Sequence, residues 1–386
     1  MSLRFIIFLS IFALINIYAF SRIITRWQWA KDHLVIAWLF VLLIFMLELL
    51  APIGDRLFLP KLKDLPGMTW LYVSANWVSY TVFGMVTLLA AYGIVTDVVS
   101  VVWKFIAPPT EAVDMERRVL LTLGVLTVGS TVLGIGQAHA EPKVKEVKVP
   151  IKDLPESFEG FRIAQVSDLH VGPTIGRRFT QAVVDRVNAL NADMVALTGD
   201  FIEGHVKDLR EDTAPLAELK AAHGVYYVTG NHEYYWDVAG WTDEFEKMGF
   251  SVLINRHEKI NVNGDEIAIG GVSDYSTRHY GKLHASSPSK AFEGVPQDMT
   301  KILLAHQPNS YKDAYDAGTH LQLSGHTHSG QYFPFSLLIP FFQRYYKGLN
   351  RHEDMWVYVN TGTGYWGPPM RTGVPSEITL LTLHRA

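Results

Sequence analysis

At 386 residues the chain is too long for one average domain, so two parts are expected. A formal net charge of −4 with scattered basic residues excludes a nucleic-acid footprint, and the lack of cysteine excludes disulfides, thiolate catalysis and zinc–thiolate sites. Mean hydropathy is +0.11, high for a soluble enzyme, and the excess is concentrated at the front of the chain.

The first 140 residues read as an all-α transmembrane region of about four helices, with spans near 4–24, 33–53, 70–95 and 119–137. Phe5 to Phe20 is almost wholly apolar, and Leu34 to Ile53 is interrupted only by Glu48. Trp70 to Val95 carries Trp and Tyr near its start as interface anchors. Val98 to Ile106 either extends that span or lies along the membrane surface. Glu48, Asn76 and Asp97 are polar groups at or near bilayer depth, where helix–helix packing or an interfacial position accounts for them.

The fourth run, Val119 to Gln137, follows Glu116-Arg117-Arg118 and ends in Ala138-His139-Ala140 before Glu141-Pro142. Two readings fit: a last transmembrane helix with ordinary flanking arginines, or an internal twin-arginine leader cleaved after Ala140. Both place Arg117 and Arg118 in the cytoplasm and the following domain outside it. Arg22, Arg26 and Lys31 in the first loop agree with this orientation. Arg56, Lys61 and Lys63 in the second loop, and Lys143, Lys145 and Lys148 after the fourth run, oppose it. Residues 141–156 are expected as a linker, and 157–386 as the second domain.

From there strands and helices alternate. Strands are predicted over Arg162 to Ser167, Met194 to Thr198, Val225 to Thr229, Phe250 to Ile254, Lys301 to Ala305, Leu321 to Ser324, Val357 to Asn360 and Glu377 to Leu383. A hairpin is predicted around Asn263-Gly264-Asp265. Phe179, Val183, Val187 and Leu190 recur at helical spacing, and Pro215 to Ala222 and Trp241 to Met248 also read as helices. The strands imply an α/β fold in which polar residues gather just past the strand ends, where layered sheets hold their ligands.

The stretch organising these positions is Gly230-Asn231-His232-Glu233, a turn closing the strand Val225 to Val228. An amide oxygen is a neutral metal ligand, and an imidazole donates protons near neutral pH. Asp168-Leu169-His170 and Gly199-Asp200 precede it, and His306 and Gly325-His326-Thr327-His328 follow. Among the other histidines, His205 lies nearest the Asp200 loop and is the one expected to line a cleft. Thr361 to Gly367 is glycine-rich enough for close backbone approach, with Arg371 beyond it to pair with a phosphate. Phe333 to Phe342 is an apolar run with two prolines, read either as a buried connection or as a lip that engages lipid, with Arg344 and Lys347 meeting headgroups.

In this ordered set, from Phe161 to Leu383, the chain resembles the calcineurin-like metallophosphoesterase superfamily, most of all its bacterial membrane-associated branch. The resemblance implies a layered β-sandwich flanked by helices and two divalent ions, whose mixed nitrogen and oxygen ligands suit manganese, iron or zinc. It assigns Asp168, His170 and His328 to one ion, Asn231, His306 and His326 to the other, and Asp200 to both. His232 binds neither and protonates the leaving group, Glu233 supports it, and a hydroxide bridging the ions attacks phosphorus.

Some members of the wider superfamily cleave the pyrophosphate of UDP-diacylglucosamine, so a lipid-linked phosphoester or phospholipid is the implied substrate. The alternatives are a broad phosphodiesterase or phosphomonoesterase acting on soluble periplasmic substrates, and an idle metal-dependent sensor or scaffold. The expected location is a bacterial inner membrane crossed several times, with the catalytic domain periplasmic and the bilayer its one macromolecular partner; no obligate protein partner is indicated.

Overall fold

The computed structural model describes residues 3–57, 59, 61, 65, 67–106, 115–279 and 285–386, so Lys63 lies outside the described residues. Two compact units divide the chain. The helical unit comprises residues 1–137 with 332–334 and 367–372, and the α/β unit comprises 138–331, 335–366 and 373–386.

Unbroken apolar runs form the helical unit, because a helix satisfies its own backbone without help from water. Its helices are α1 (Leu3–Ile24), the short α2 (Gln28–Asp32), α3 (Leu34–Leu57), α4 (Thr69–Ile106) and α5 (Met115–Ala138). Three stretches, Leu34–Gly54, Thr69–Trp103 and Arg118–Ala138, are long and apolar enough to cross a membrane, and Leu9–Ile24 is a shorter apolar helix. Val98 to Ile106 extends α4 rather than forming an element of its own.

Contacts set the directions of these helices. Phe12 stacks on Phe83, and the Tyr18 hydroxyl donates to Asp97 at 2.7 Å, so α1 and α4 run in parallel. Asn16 reaches Glu48, while Ile24 clusters with Ala37 and Val41, so α3 runs back along α1. Tyr92 pairs with Ser130, and Leu88 clusters with Ile135, so α5 runs back along α4. The polar residues serve this packing. Glu48 accepts from Asn16 Nδ2 at 2.7 Å, and Ser79 Oγ donates to the Glu48 carbonyl at 3.0 Å. Asp97 pairs with Arg22 and lies 3.7 Å from Arg26.

The α/β unit is built on two six-stranded sheets. The first is ordered β1 (Lys143–Ile151), β12 (Glu377–Arg385), β2 (Arg162–Val166), β3 (Met194–Thr198), β4 (Val225–Val228), β5 (Ser251–Val252). The second is ordered β10 (Gly348–His352), β11 (Met355–Val359), β9 (Leu321–Ser324), β8 (Lys301–Leu304), β7 (Asp265–Gly271), β6 (Arg256–Val262). The run from β2 to β5 is parallel, as is that from β11 through β9 and β8 to β7; β12–β2, β10–β11 and β6–β7 are antiparallel.

Inward side chains of both sheets, among them Ile163, Met194, Val228, Ile269, Leu304 and Leu323, form the central core. The outer face of the first sheet packs on α6 (Arg177–Ala189), α7 (Val206–Thr213) and α9 (Val238–Lys247), through Val183, Val187, Leu209, Trp241 and Phe245. The outer face of the second packs on α10 (Pro288–Ala291) and α11 (Tyr311–Asp316). The fold is thus two mixed sheets flanked by helices, as expected.

Several elements depart from expectation. Residues 143–151, placed in a linker, form β1, which pairs in parallel with all of β12 from Lys143↔Glu377 to Ile151↔Arg385. Its three lysines disguise a strand whose Val149 and Ile151 are buried. Pro215 to Ala222 gives only a short 3-10 turn over Ala214–Glu218, because α7 immediately before it takes the helical role. The hairpin forms as predicted, with Asn263 and Gly264 both at positive φ, 50° and 97°, as its tight turn requires.

Candidate metal centre

Every predicted ligand falls where a parallel strand ends. Asp168 and His170 follow β2, Asp200 follows β3, and Asn231 opens α8 (Asn231–Trp236) after β4. His306 follows β8, and His326 and His328 follow β9, so both sheets aim their carboxyl ends at one place. Asp168, His170, Asp200, His326 and His328 have φ between 47° and 70°. Side chains other than glycine rarely adopt this region, and five such residues at one site mark backbone bent to converge ligands.

Glycine makes the convergence possible at two positions. A Cβ on Gly325 would collide with Ser167 Oγ and Asp168 Oδ2, and one on Gly230 with the Asp200 carboxylate. Gly364 lies against the Leu169 carbonyl, and its N–H donates to Asp168 O at 2.9 Å, so the glycine-rich stretch does approach the site with its backbone.

Among the described residues ligand atoms gather in three groups. One atom each from Asp168, His170 and His328 lies within 4.8 Å of the others, and the same holds for Asp200, His306 and His326 and for His170, Glu203 and His232. His170 Nε2 is 3.1 Å from His328 Nε2, which is 3.3 Å from Asp168 Oδ1. His306 Nδ1 donates to Thr198 O at 2.8 Å, which points Nε2 at Asp200 Oδ2, 2.9 Å away. Asn231 Oδ1 is buried without a hydrogen-bond partner. An orphaned amide oxygen, converging imidazole nitrogens and buried carboxylates are what a cation satisfies, so these residues fit divalent metal ions.

The electrostatics agree. Burial opposes charge on Asp200, yet His306, His232 and His170 hold its carboxyl well below the usual carboxylate range. Burial and the neighbouring charge on His306 push His326 down to about 3, so it remains a neutral acceptor.

His232 is placed differently. It is buried, its N–H donates to Asp200 Oδ1 at 2.8 Å, and its Nε2 stands 3.8 Å from Asp200 Oδ2. The residue that sets its ring is Glu203, which the sequence reading passes over in favour of His205. Glu203 Oε1 lies 2.5 Å from His232 Nδ1 and also accepts from His170 Nδ1 at 2.7 Å, while Oε2 accepts from Trp236 Nε1 at 3.2 Å. Burial alone would raise the Glu203 carboxyl, but the His232 charge and the hydrogen bonds from both histidines bring it to about 2. Burial would lower His232, but Glu203 and Asp200 raise it to about 9. The only sequence signal for Glu203 is its place three residues after Asp200.

Glu233 does other work than expected. Fully buried, it accepts from the N–H groups of Asp200, Phe201 and Gly230 at 3.1, 2.7 and 2.7 Å and so ties the β3 and β4 loops together. His205 is exposed ahead of α7, its ring 5.7 Å from that of Trp236, and belongs to none of these groups. Arg371 is fully buried within the helical unit, where its N–H donates to Gly134 O at 2.9 Å. A rim forms from Gln331 and Trp366, the latter within the glycine-rich stretch. The Gln331 amide bonds both backbone polar groups of Trp366, at 3.0 and 3.1 Å, and the half-exposed Trp366 ring stands edge-on to His232 at 5.7 Å.

Residues 161–330 match the family model for calcineurin-like phosphoesterases. A transmembrane protein with metallophosphoesterase domain from Danio rerio is 40% identical over 70% of this chain, although the chain spans only 63% of that protein's length. A Helicobacter pylori metallophosphoesterase is 32% identical over 90% of this chain and 88% of its own length. One from Campylobacter jejuni is 30% identical over 98% and 97%.

Proposed function

Since the chain belongs to the calcineurin-like phosphoesterase family, and is accordingly a metal-dependent phosphoesterase, we propose that it is anchored in a bacterial inner membrane, holds two divalent ions, and cleaves phosphoester or pyrophosphate bonds of a phospholipid or other lipid-linked substrate. The observation that carries the hydrolytic reading is the convergence of Asp168, His170 and His328 with Asp200, His306 and His326, and of His232 with Glu203 on the same His170. Asp168, His170 and His328 would hold one ion, Asn231, His306 and His326 the other, and Asp200 would bridge them. Bound there, divalent ions would polarise phosphoryl oxygens and make water a better nucleophile.

The protein's own groups supply the rest. Asp200 offers two carboxylate oxygens, and Oδ1 is braced by the His232 N–H. Glu203 takes the Nδ1 side of His232 and turns Nε2 toward the Asp200 carboxylate, where it can give a proton to a departing oxygen. Trp366 screens one side of that imidazole from water. Support for a lipid-linked substrate comes from the three helices apolar enough to cross a membrane in the same chain, and from the apolar run that begins five residues after His328.

The test is turnover of a panel of phospholipids, lipid-linked nucleotides and soluble phosphoesters by detergent-purified full-length protein, with manganese, with zinc and with a chelator. We expect acylated substrates to show the lowest KM and the chelator to abolish all turnover. Cleavage of soluble esters alone would sink the lipid reading. Activity indifferent to the chelator would sink the metal assignment.

A further inference from the structure

The helix α12 (Phe335–Phe342) is apolar at nearly every position and buries none of its residues. Leu337, Leu338, Phe341 and Phe342 expose 63%, 43%, 82% and 77% of their surface. Water does not tolerate four large apolar side chains on one short helix without a partner, and patches of this kind mark lipid or protein contact. The buried-connection reading of this run therefore fails.

Three observations select the partner. First, the segment just before the helix lies within the helical unit: Tyr332 clusters with Leu88, its hydroxyl is 3.1 Å from Thr87 Oγ1, and Phe333 stacks on Tyr92 at 5.3 Å. Those partners fall inside Thr69–Trp103, one of the stretches apolar enough to cross a membrane, and α12 begins one residue after Pro334. Second, there is no acidic residue from Phe333 to Leu349, while Arg344 and Lys347 follow the helix and are exposed. An apolar helix ending in cations suits acyl chains beneath phosphate headgroups. Third, the helix is attached to the site: the backbone of Phe335 and Ser336 fills the space where a Gly330 Cβ would stand, two residues after His328.

From these observations we infer that α12 lies in the lipid–water interface of the bilayer, with Phe341 and Phe342 among the acyl chains and Arg344 and Lys347 at headgroup phosphates. This rests on the membrane-anchored reading above.

Because the chain has no cysteine, Phe341→Cys places a single thiol for an environment-sensitive fluorophore. Full-length protein is reconstituted into vesicles of phosphatidylethanolamine and phosphatidylglycerol, with Lys247→Cys on the exposed face of α9 as reference. The Phe341 probe should emit at the blue-shifted wavelength of a lipid environment and be quenched by lipids carrying a nitroxide near the headgroup end of the acyl chain. The reference probe should show neither effect. Water-like emission from protein that floats with the vesicles would overturn the inference. So would blue-shifted emission that nitroxide lipids fail to quench, since that is the behaviour of a face covered by a second copy of the chain. Protein that does not float would defeat the anchoring reading itself, and this one with it.

A kinetic arm reads function. Leu338→Ser combined with Phe341→Ser should raise KM roughly tenfold for an acylated phosphoester, the weight of about one buried apolar side chain, and leave a soluble nitrophenyl ester unchanged. Equal loss on both esters would overturn the inference. If no lipid phosphoester is a substrate at all, the quenching result still decides where α12 lies.

Discussion

Asp200 and His232 stand side by side, yet their proposed work is separable. Asp200→Asn removes a negative charge from between the two proposed cations, so metal content and activity should fall together. His232→Ala should keep near-normal metal content and lose roughly 10²–10⁴-fold in turnover on substrates with poor leaving groups. A nitrophenolate departs without a proton, so the loss on that ester should be smaller. Metal loss in His232→Ala equal to that in Asp200→Asn would defeat the assignment. Glu203 links the two functions because one carboxylate holds a ligand histidine and the acid histidine together. Glu203→Gln should therefore weaken metal binding about 10–100-fold and also steepen the dependence of rate on leaving-group pKa. A metal titration that matches the parent protein, with an unchanged leaving-group slope, would reduce Glu203 to an ordinary buried acid.

The elements of the α/β unit succeed as a site because strands end at fixed heights and glycines let the next backbone close in. Gly325→Ala should cost about 1–3 kcal/mol of stability, the usual range for overpacking. It should also abolish metal binding, because the added methyl meets the Ser167 hydroxyl and the carboxylate of Asp168, a proposed ligand that the His326 N–H holds in place. Thermal unfolding and metal content of the purified variant check both; a variant that binds metal normally would show that the loops give way. Much of this was legible in the sequence. Apolar strands announce themselves by composition, so β2, β3, β4, β8 and β9 lie within a residue of where Ile163, Val195, Tyr227, Ile302 and Leu323 suggest, and the polar residues after them were found with their strands. What escaped was carried by partners rather than by local pattern. β1 is a strand only because β12 accepts it along its whole length, and its lysines hide the alternation. Glu203 has no motif of its own, since its role exists only once His170 and His232 are brought beside it. Glu233 is hard to read for a related reason: a carboxylate that ties loops together and one that orients a histidine look alike until their donors are seen.

At the scale of the whole molecule, the helix directions bear on which side of the membrane the phosphoesterase domain occupies. If α1, α3, α4 and α5 all cross, their alternating directions put the 25–33 connection, the end of α4 and the start of α5 on one side, and the start of α1 and the end of α5 on the other. The first side carries Arg22, Arg26, Lys31, Lys104, Arg117 and Arg118; the second carries Arg4, Arg56 and Lys61 near the helix ends. Lys143, Lys145 and Lys148 had weighed against a cytoplasmic assignment of the first side. They now belong to β1, part of a folded domain, and such domains translocate largely regardless of charge. With them set aside, the excess of positive charge favours the proposed orientation, with the first side cytoplasmic and the phosphoesterase domain outside. A reporter that is active only after export, fused behind Ala386, should therefore be active in cells. A reporter fused in the 107–114 connection should be active only if it is of the cytoplasmic kind. Silence of the exported reporter at Ala386, with a cytoplasmic one bright at the same position, would invert the orientation and move the substrate to the inner leaflet.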